Sequence, residues 1–388
     1  MGAYITRLVY ADQVLQPWLE AALALVPGAE LFDAHTHTGS NDPDGFKASA
    51  EELIDGLDVA RARAVVFTTQ EPEGYRAAND RILAEAEASG GKLVPFLRLD
   101  PADDPLAEAE RALDRGAKGI KLHPRAEGFP LDDPRLAPVY ALADERRLPV
   151  LTHAGRGIPA LGRDALAICA RHPGLRLILA HDGVSDLGWL WQHAAEHPNM
   201  FFDTSWWSTT DHLTLFGLVP PGQILFASDM PYGTTTVGAI MATRAAFEVG
   251  LEPEQVRHVL GAQLDRLVAR EEPVDLGPAP GSQELRLDIV TQRIHDYLVA
   301  ALSRMLIGDP APDYVGLARL ACEVGEASAH PEVARSALQL IDAIEPHLES
   351  LGYQEPEAGV PGPRLPHPAI NIVVIAANVA MTPHVAVP

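Results

Sequence analysis

Glu30-Leu31-Phe32-Asp33-Ala34-His35-Thr36-His37 is a short apolar run that ends in a histidine pair, and it decides between two folds. An open, doubly wound sheet places a glycine-rich phosphate turn after its first strand. Here that position holds His35-Thr36-His37 instead. Beyond Glu30–His35, seven more runs of strand length occur: Ala64–Thr69, Leu93–Leu99, Gly119–His123, Pro149–His153, Leu175–His181, Asn199–Thr204 and Gln223–Ser228. Stretches of helical periodicity separate them. Asp103-Asp104-Pro105 and Asp132-Asp133-Pro134 each set an N-cap candidate before a proline at the first helical position, and Gly116 closes the first of these helices. His172-Pro173-Gly174 and His197-Pro198-Asn199 read as helix ends, with histidines favoured there by the helix dipole. Eight strands alternating with helices predict a parallel sheet closed into a (β/α)8 TIM barrel over residues 30–270.

Residues 1–29 hold an N-terminal helix, from about Tyr4 to Leu25, with Leu8, Val9, Leu15, Trp18 and Leu19 at helical spacing. Beyond the barrel, 271–284 is rich in proline, glycine and acidic residues and reads as a linker. Residues 285–388 form a small helical appendage, with helices expected over Leu285–Leu306, Tyr314–Ala327 and Pro331–Leu351. The apolar run Ile370–Ala377 is too short to span a bilayer. It reads as a buried strand or as a segment docked on a partner chain, and it points to a homodimer.

Composition narrows the function. The chain of 388 residues carries 53 acidic and 30 basic side chains, a net charge of −23 that disfavours nucleic-acid and membrane-surface partners. Two cysteines, Cys169 and Cys322, cannot build a disulfide framework. With no bilayer-length apolar run and no signal-peptide pattern, a soluble cytoplasmic protein with a small-molecule substrate is expected.

Barrel enzymes carry their chemistry at the C-terminal ends of the strands. The first strand here delivers His35 and His37, the fourth Lys121 and His123, the fifth His153, the sixth His181 and the eighth Asp229. Period-two alternation sets His35 beside His37, and Lys121 beside His123. Each alone has a bland explanation, as a core histidine, an ion pair or a turn cap. In this order, all at strand ends, they point to a metal site. Nitrogen and oxygen donors suit zinc, with manganese or iron as alternatives.

The segments Asp33-Ala34-His35-Thr36-His37, Gly119-Ile120-Lys121-Leu122-His123-Pro124, Thr152-His153-Ala154-Gly155, Ala180-His181-Asp182-Gly183 and Ala227-Ser228-Asp229-Met230-Pro231 together resemble the amidohydrolase superfamily. The likeness is closer to its amidohydrolase-related branch, which also contains metal-dependent decarboxylases, and spans about Glu30 to Arg270. It implies that His35, His37 and Asp229 bind the more buried metal and that His153 is also a ligand. His181 would bind a second metal or act as acid/base and polariser. Lys121 resembles the lysine that is carboxylated and bridges two ions in binuclear members; in one-metal members it would remain a cation, with His123 behind the ligands. One or two ions are both compatible with the set.

The chemistry implied is hydrolysis of an amide, lactone or ester bond by metal-activated hydroxide, with Asp229 moving the proton and His181 or a second ion polarising the carbonyl. Non-oxidative decarboxylation on the same scaffold is the alternative. Arg98, His123, Arg156, Trp206 and Trp207 are the candidate substrate contacts: the arginines for a carboxylate, the tryptophans for an apolar or aromatic wall. Arg98 has a second reading, as an internal ion pair with Asp100.

Overall fold

The computed structural model describes residues 10–157, 160–281, 287–324, 328–354 and 366–388. All eight expected strands form: β1 Leu31–Thr38, β2 Ala62–Thr68, β3 Leu93–Arg98, β4 Gly119–Leu122, β5 Pro149–Thr152, β6 Arg176–Leu179, β7 Met200–Asp203 and β8 Ile224–Leu225. They pair in parallel in chain order, with helices between them, as a (β/α)8 barrel. Strand β8 is only two residues long, so backbone bonds beyond it complete the ring. Ala34 N–H donates to Phe226 O at 2.9 Å, Asp229 N–H to His35 O at 2.9 Å, and His37 N–H to Met230 O at 2.7 Å.

Side-chain alternation sorts the strands into two cores. Val65, Phe67, Leu151, Ile178, Ala180, Phe201, Leu225 and Ala227 fill the barrel interior, closed at one end by Leu264 and Leu267. Their neighbours of opposite parity, such as Val66, Val150, Leu179 and Phe202, face the helical layer. Gly119 is required here: a Cβ would sit 2.5 Å from the Phe96 ring. In β1 a register shift between Asp33 and Thr36 sets one extra residue against β2. This bulge reverses the alternation. Phe32 and Ala34 therefore belong to the interior below it, and His35 and His37 point inward above it.

The N-terminal helix is Tyr10–Ala24; the part expected before Tyr10 lies outside the described residues. His172 and His197 sit at helix C-caps, as expected. The region after the barrel contains the helices Ile289–Met305, Pro312–Ala321, Pro331–Asp342 and Ile344–Ser350. The apolar tail is corrected: Ile370–Met381 is a helix, not a strand, and all twelve of its residues are buried within this chain. A continuous apolar run has no period to distinguish the two, and a helix surrounded on every side reads the same way. It packs against Ile289–Met305, Pro331–Asp342 and Thr235–Glu248, the helix after β8. The surface on which the homodimer expectation rested is thus covered by the chain itself. Among the described residues no helix is long and apolar enough to cross a membrane.

Buried polar groups tie the segments together. Trp18 Nε1 donates to Ser336 Oγ at 2.9 Å, linking the N-terminal helix to the C-terminal region. Arg244, 2% exposed, donates to Thr382 Oγ1, Thr382 O, Ala386 O and Val385 O at 2.9, 2.9, 2.7 and 3.2 Å. Removing it leaves these acceptors without their donor. Arg244→Ala should lower stability by about 3 kcal/mol and speed amide exchange across residues 370–388; unchanged exchange there would show that apolar packing alone holds the tail.

Asp12 accepts from Thr234 Oγ1 at 2.7 Å, while its Oδ2 is buried and unpartnered among the described residues. Burial pushes its carboxyl up from 3.8 to about 7. The folded chain therefore holds this proton more tightly than the unfolded one. The stability it contributes is present below its ordinary pKa and is lost as pH rises through about 7. Relative to wild type, Asp12→Asn should gain Tm as pH rises between these limits and level off above them. A difference that is flat across the window in thermal melts would refute the assignment.

Candidate metal centre

The site is built on the seam between β1 and the segment after β8. Asp33, fully buried, accepts from His35 N–H at 3.1 Å, Ser228 N–H at 3.0 Å, Ser228 Oγ at 2.5 Å and Thr235 Oγ1 at 2.9 Å. Burial outweighs these bonds and raises its pKa to about 7. Above this knot Asp229 adopts φ +59°, the left-handed region that a non-glycine residue enters at a cost. Its side chain meets the histidine pair there: Asp229 Oδ1 lies 3.2 Å from His35 Nε2 and 3.0 Å from His37 Nε2.

His35 is aimed by Asp203, the last residue of β7, whose Oδ2 lies 2.9 Å from His35 Nδ1. Nδ1–H donates to the carboxylate, which leaves the Nε2 lone pair facing Asp229. Two groups of His and Asp donors lie close enough together to hold an ion among the described residues: His35, His37 and Asp229, and His35, His181 and Asp203. They share His35 but use opposite ring nitrogens. The second group is a hydrogen-bonded network, since Asp203 Oδ1 also accepts from His181 N–H at 3.0 Å. The first is left as the arrangement that could hold a divalent ion.

Lys121 Nζ lies 3.0 Å from His35 Nε2 and 4.6 Å from the centre of the Phe67 ring. It is fully buried, and burial lowers its pKa from 10.5 to about 7. Burial, reinforced by Lys121, holds His35 and His37 well below the usual imidazole range, so both rings are neutral and available as ligands. His153 is lowered in the same way, first by burial and then by His181. His181, at φ +58°, donates from Nδ1 to Ser205 O at 2.8 Å and turns Nε2 toward His153 Nδ1 at 3.0 Å. Gly155 makes room for this pair: a Cβ there would stand 2.7 Å from His181 Cδ2. His123 stacks on His153 with centroids 4.2 Å apart and caps the next helical turn by accepting from Ala126 N–H.

All eleven side chains singled out in the sequence line one cavity of about 560 Å³. Arg98 is a correction in part. It is an internal ion pair, but its partner is Glu127 at 2.7 Å and not Asp100, and Tyr75 OH donates to the same carboxylate at 2.5 Å. Arg156 lines the cavity, and its carbonyl oxygen lies 3.4 Å from His153 Nε2. Trp206 and Trp207 form part of the wall, with Trp206 Nε1 donating to Asp211 at 2.8 Å. Arg125, Tyr232 and Asn371 also line the cavity, and sequence reasoning missed them, as it missed Asp203. The signal for Asp203 was available, because it is a polar residue closing an apolar strand.

Residues 32–262 match the family model described as amidohydrolase. Three solved structures share the barrel. They are an uncharacterised TIM-barrel protein from Bordetella bronchiseptica, 5-carboxyvanillate decarboxylase from Sphingomonas paucimobilis and 2,6-dihydroxybenzoate decarboxylase from Rhizobium. Each is 16% identical to this chain, with a TM-score of 0.50, and the likeness covers 62% of this chain and 99% of the other. At that identity the likeness shows the fold. No curated protein sequence matches significantly.

Asp203→Ala removes the acceptor that fixes the His35 ring. Its affinity for zinc, read by chelator competition, should fall about 10- to 100-fold with the fold intact. Unchanged affinity would mean that packing on Phe67 orients His35 without Asp203.

Proposed function

The chain belongs to the amidohydrolase family, and we propose that it is a cytoplasmic metal-dependent hydrolase that opens an amide, lactone or ester bond of a small molecule. One observation carries this reading: His35 Nε2 and His37 Nε2 converge on Asp229 Oδ1 at 3.2 and 3.0 Å. Two neutral imidazoles and a carboxylate suit zinc, with manganese or iron as alternatives. When bound, such an ion supplies Lewis acidity that makes hydroxide available near neutral pH.

The remaining work falls to the chain's own groups. Asp229 takes the proton from the attacking water and returns it to the leaving group. His181, aimed by Ser205, polarises the scissile carbonyl. Lys121 has two roles open to it. As a cation it steadies negative charge beside His35; carboxylated, it joins His153 and His181 in holding a second ion.

Non-oxidative decarboxylation is the second reading. It is favoured by Arg98, Arg125, Arg156 and Lys121 lining the same cavity, a basic set suited to a substrate carboxylate.

Elemental analysis of protein purified without chelators, joined to assays of esters, lactones, amides and aromatic acids, tests both. The wild type should retain metal, and His35→Ala and Asp229→Ala should lose it together with at least about 100-fold in turnover. Full metal content in both variants would overturn the site. Hydrolysis with about two ions per chain supports the carboxylated Lys121; carbon dioxide release with about one ion moves the assignment to a decarboxylase.

A further inference from the structure

The metal cavity is not bounded by the barrel alone. Leu302 and Leu306 at the end of the helix Ile289–Met305, and Ile370, Asn371 and Val374 from the terminal helix Ile370–Met381, also line it. The family match ends at residue 262, so this wall is built by a part of the chain that lies beyond it. Among the described residues its surface is apolar except at Asn371. That side chain is 6% exposed, its Nδ2 is buried without a partner, and its carboxamide makes no hydrogen bond among the described residues. An unpaired buried amide costs stability, and one that lines a ligand cavity is positioned to recover the bond from a ligand. The wall is also preformed. Every residue of the terminal helix is buried, and Arg244 pins the segment after it.

Resting on the metal-pocket reading above, we propose that this wall selects the substrate. The ligand places a carbonyl or carboxylate head among the metal-site residues and lays an aryl or alkyl body against Leu302, Leu306, Ile370 and Val374. A polar group on the far end of that body, such as a carbonyl, hydroxyl or amide, exchanges a hydrogen bond with the Asn371 carboxamide. A half-turn of the terminal bond exchanges the two ends of the amide, and a carbonyl on the ligand calls on the N–H end. A cavity of about 560 Å³ has room for a molecule of this kind.

Two probes of matched shape separate the wall from the head. 4-Acetylbenzoate and 4-isopropylbenzoate share a carboxylate and a ring and differ in one carbonyl oxygen. By titration calorimetry on the protein as purified without chelators, the wild type should bind the acetyl compound about three- to tenfold more tightly. Acetate, with no body, should bind far more weakly than either. Asn371→Leu should abolish the preference; Asn371→Ser, which only shortens the side chain, gives the same reading if the leucine variant does not fold. A preference unchanged in the variants, no preference in the wild type, or no binding of either aryl acid would each overturn the inference. Metal content measured on the same samples keeps the two readings apart. Metal present with no discrimination defeats this inference alone, and discrimination without retained metal defeats the metal-hydrolase reading alone.

Discussion

Four hydrogen bonds to one buried carboxyl hold the barrel shut. Asp33 takes them from β1, from Ser228 just past β8, and from Thr235 in the next helix. The final strand is only two residues long, and this side chain reinforces the backbone bonds that close the ring beyond it. The cost is a carboxyl driven toward neutrality by burial. What the seam secures is the placement of its neighbours. His35 lies two residues along the strand and Asp229 one residue beyond Ser228, so the bond network that closes the fold also sets the distance between the candidate ligands.

Burial sets the electrostatics of the centre as much as charge does. The cavity gathers histidines, arginines and a lysine beside Asp42, Asp44 and Asp229. Desolvation keeps His35, His37, His123 and His153 neutral, so the cluster does not repel itself or an incoming cation. Arg98 has part of its charge answered by Glu127 before any ligand arrives.

The strands are legible in sequence because buried parallel strands are short apolar runs between helices, and because polar residues at their ends break the pattern visibly. All eleven candidate residues lie on one cavity for the same reason: the barrel sends every strand end to one rim. Other features are not local. The β1 bulge that turns His35 inward depends on pairing with β2, and no residue type announces it. Glu127, the partner of Arg98, sits in a helical turn 29 residues further on, while Asp100 is nearer in sequence and makes no such pair. Ile370–Met381 carries no period because every face of it is covered. Asn371 is legible only in three dimensions, since an asparagine in an apolar run gives no hint of the cavity it borders.

The wall formed by the terminal helix also orders events in time. A chain leaves the ribosome from its N-terminus, so the strands and their histidines emerge well before Ile370–Met381. A nascent barrel can gather its ligand residues while one side of the cavity is still missing. The pocket acquires its full shape only when the last helix docks and Arg244 finds its four acceptors. Completion of the binding surface therefore waits on a segment made long after the strands. A chain cut short before that helix would lack one wall of the cavity.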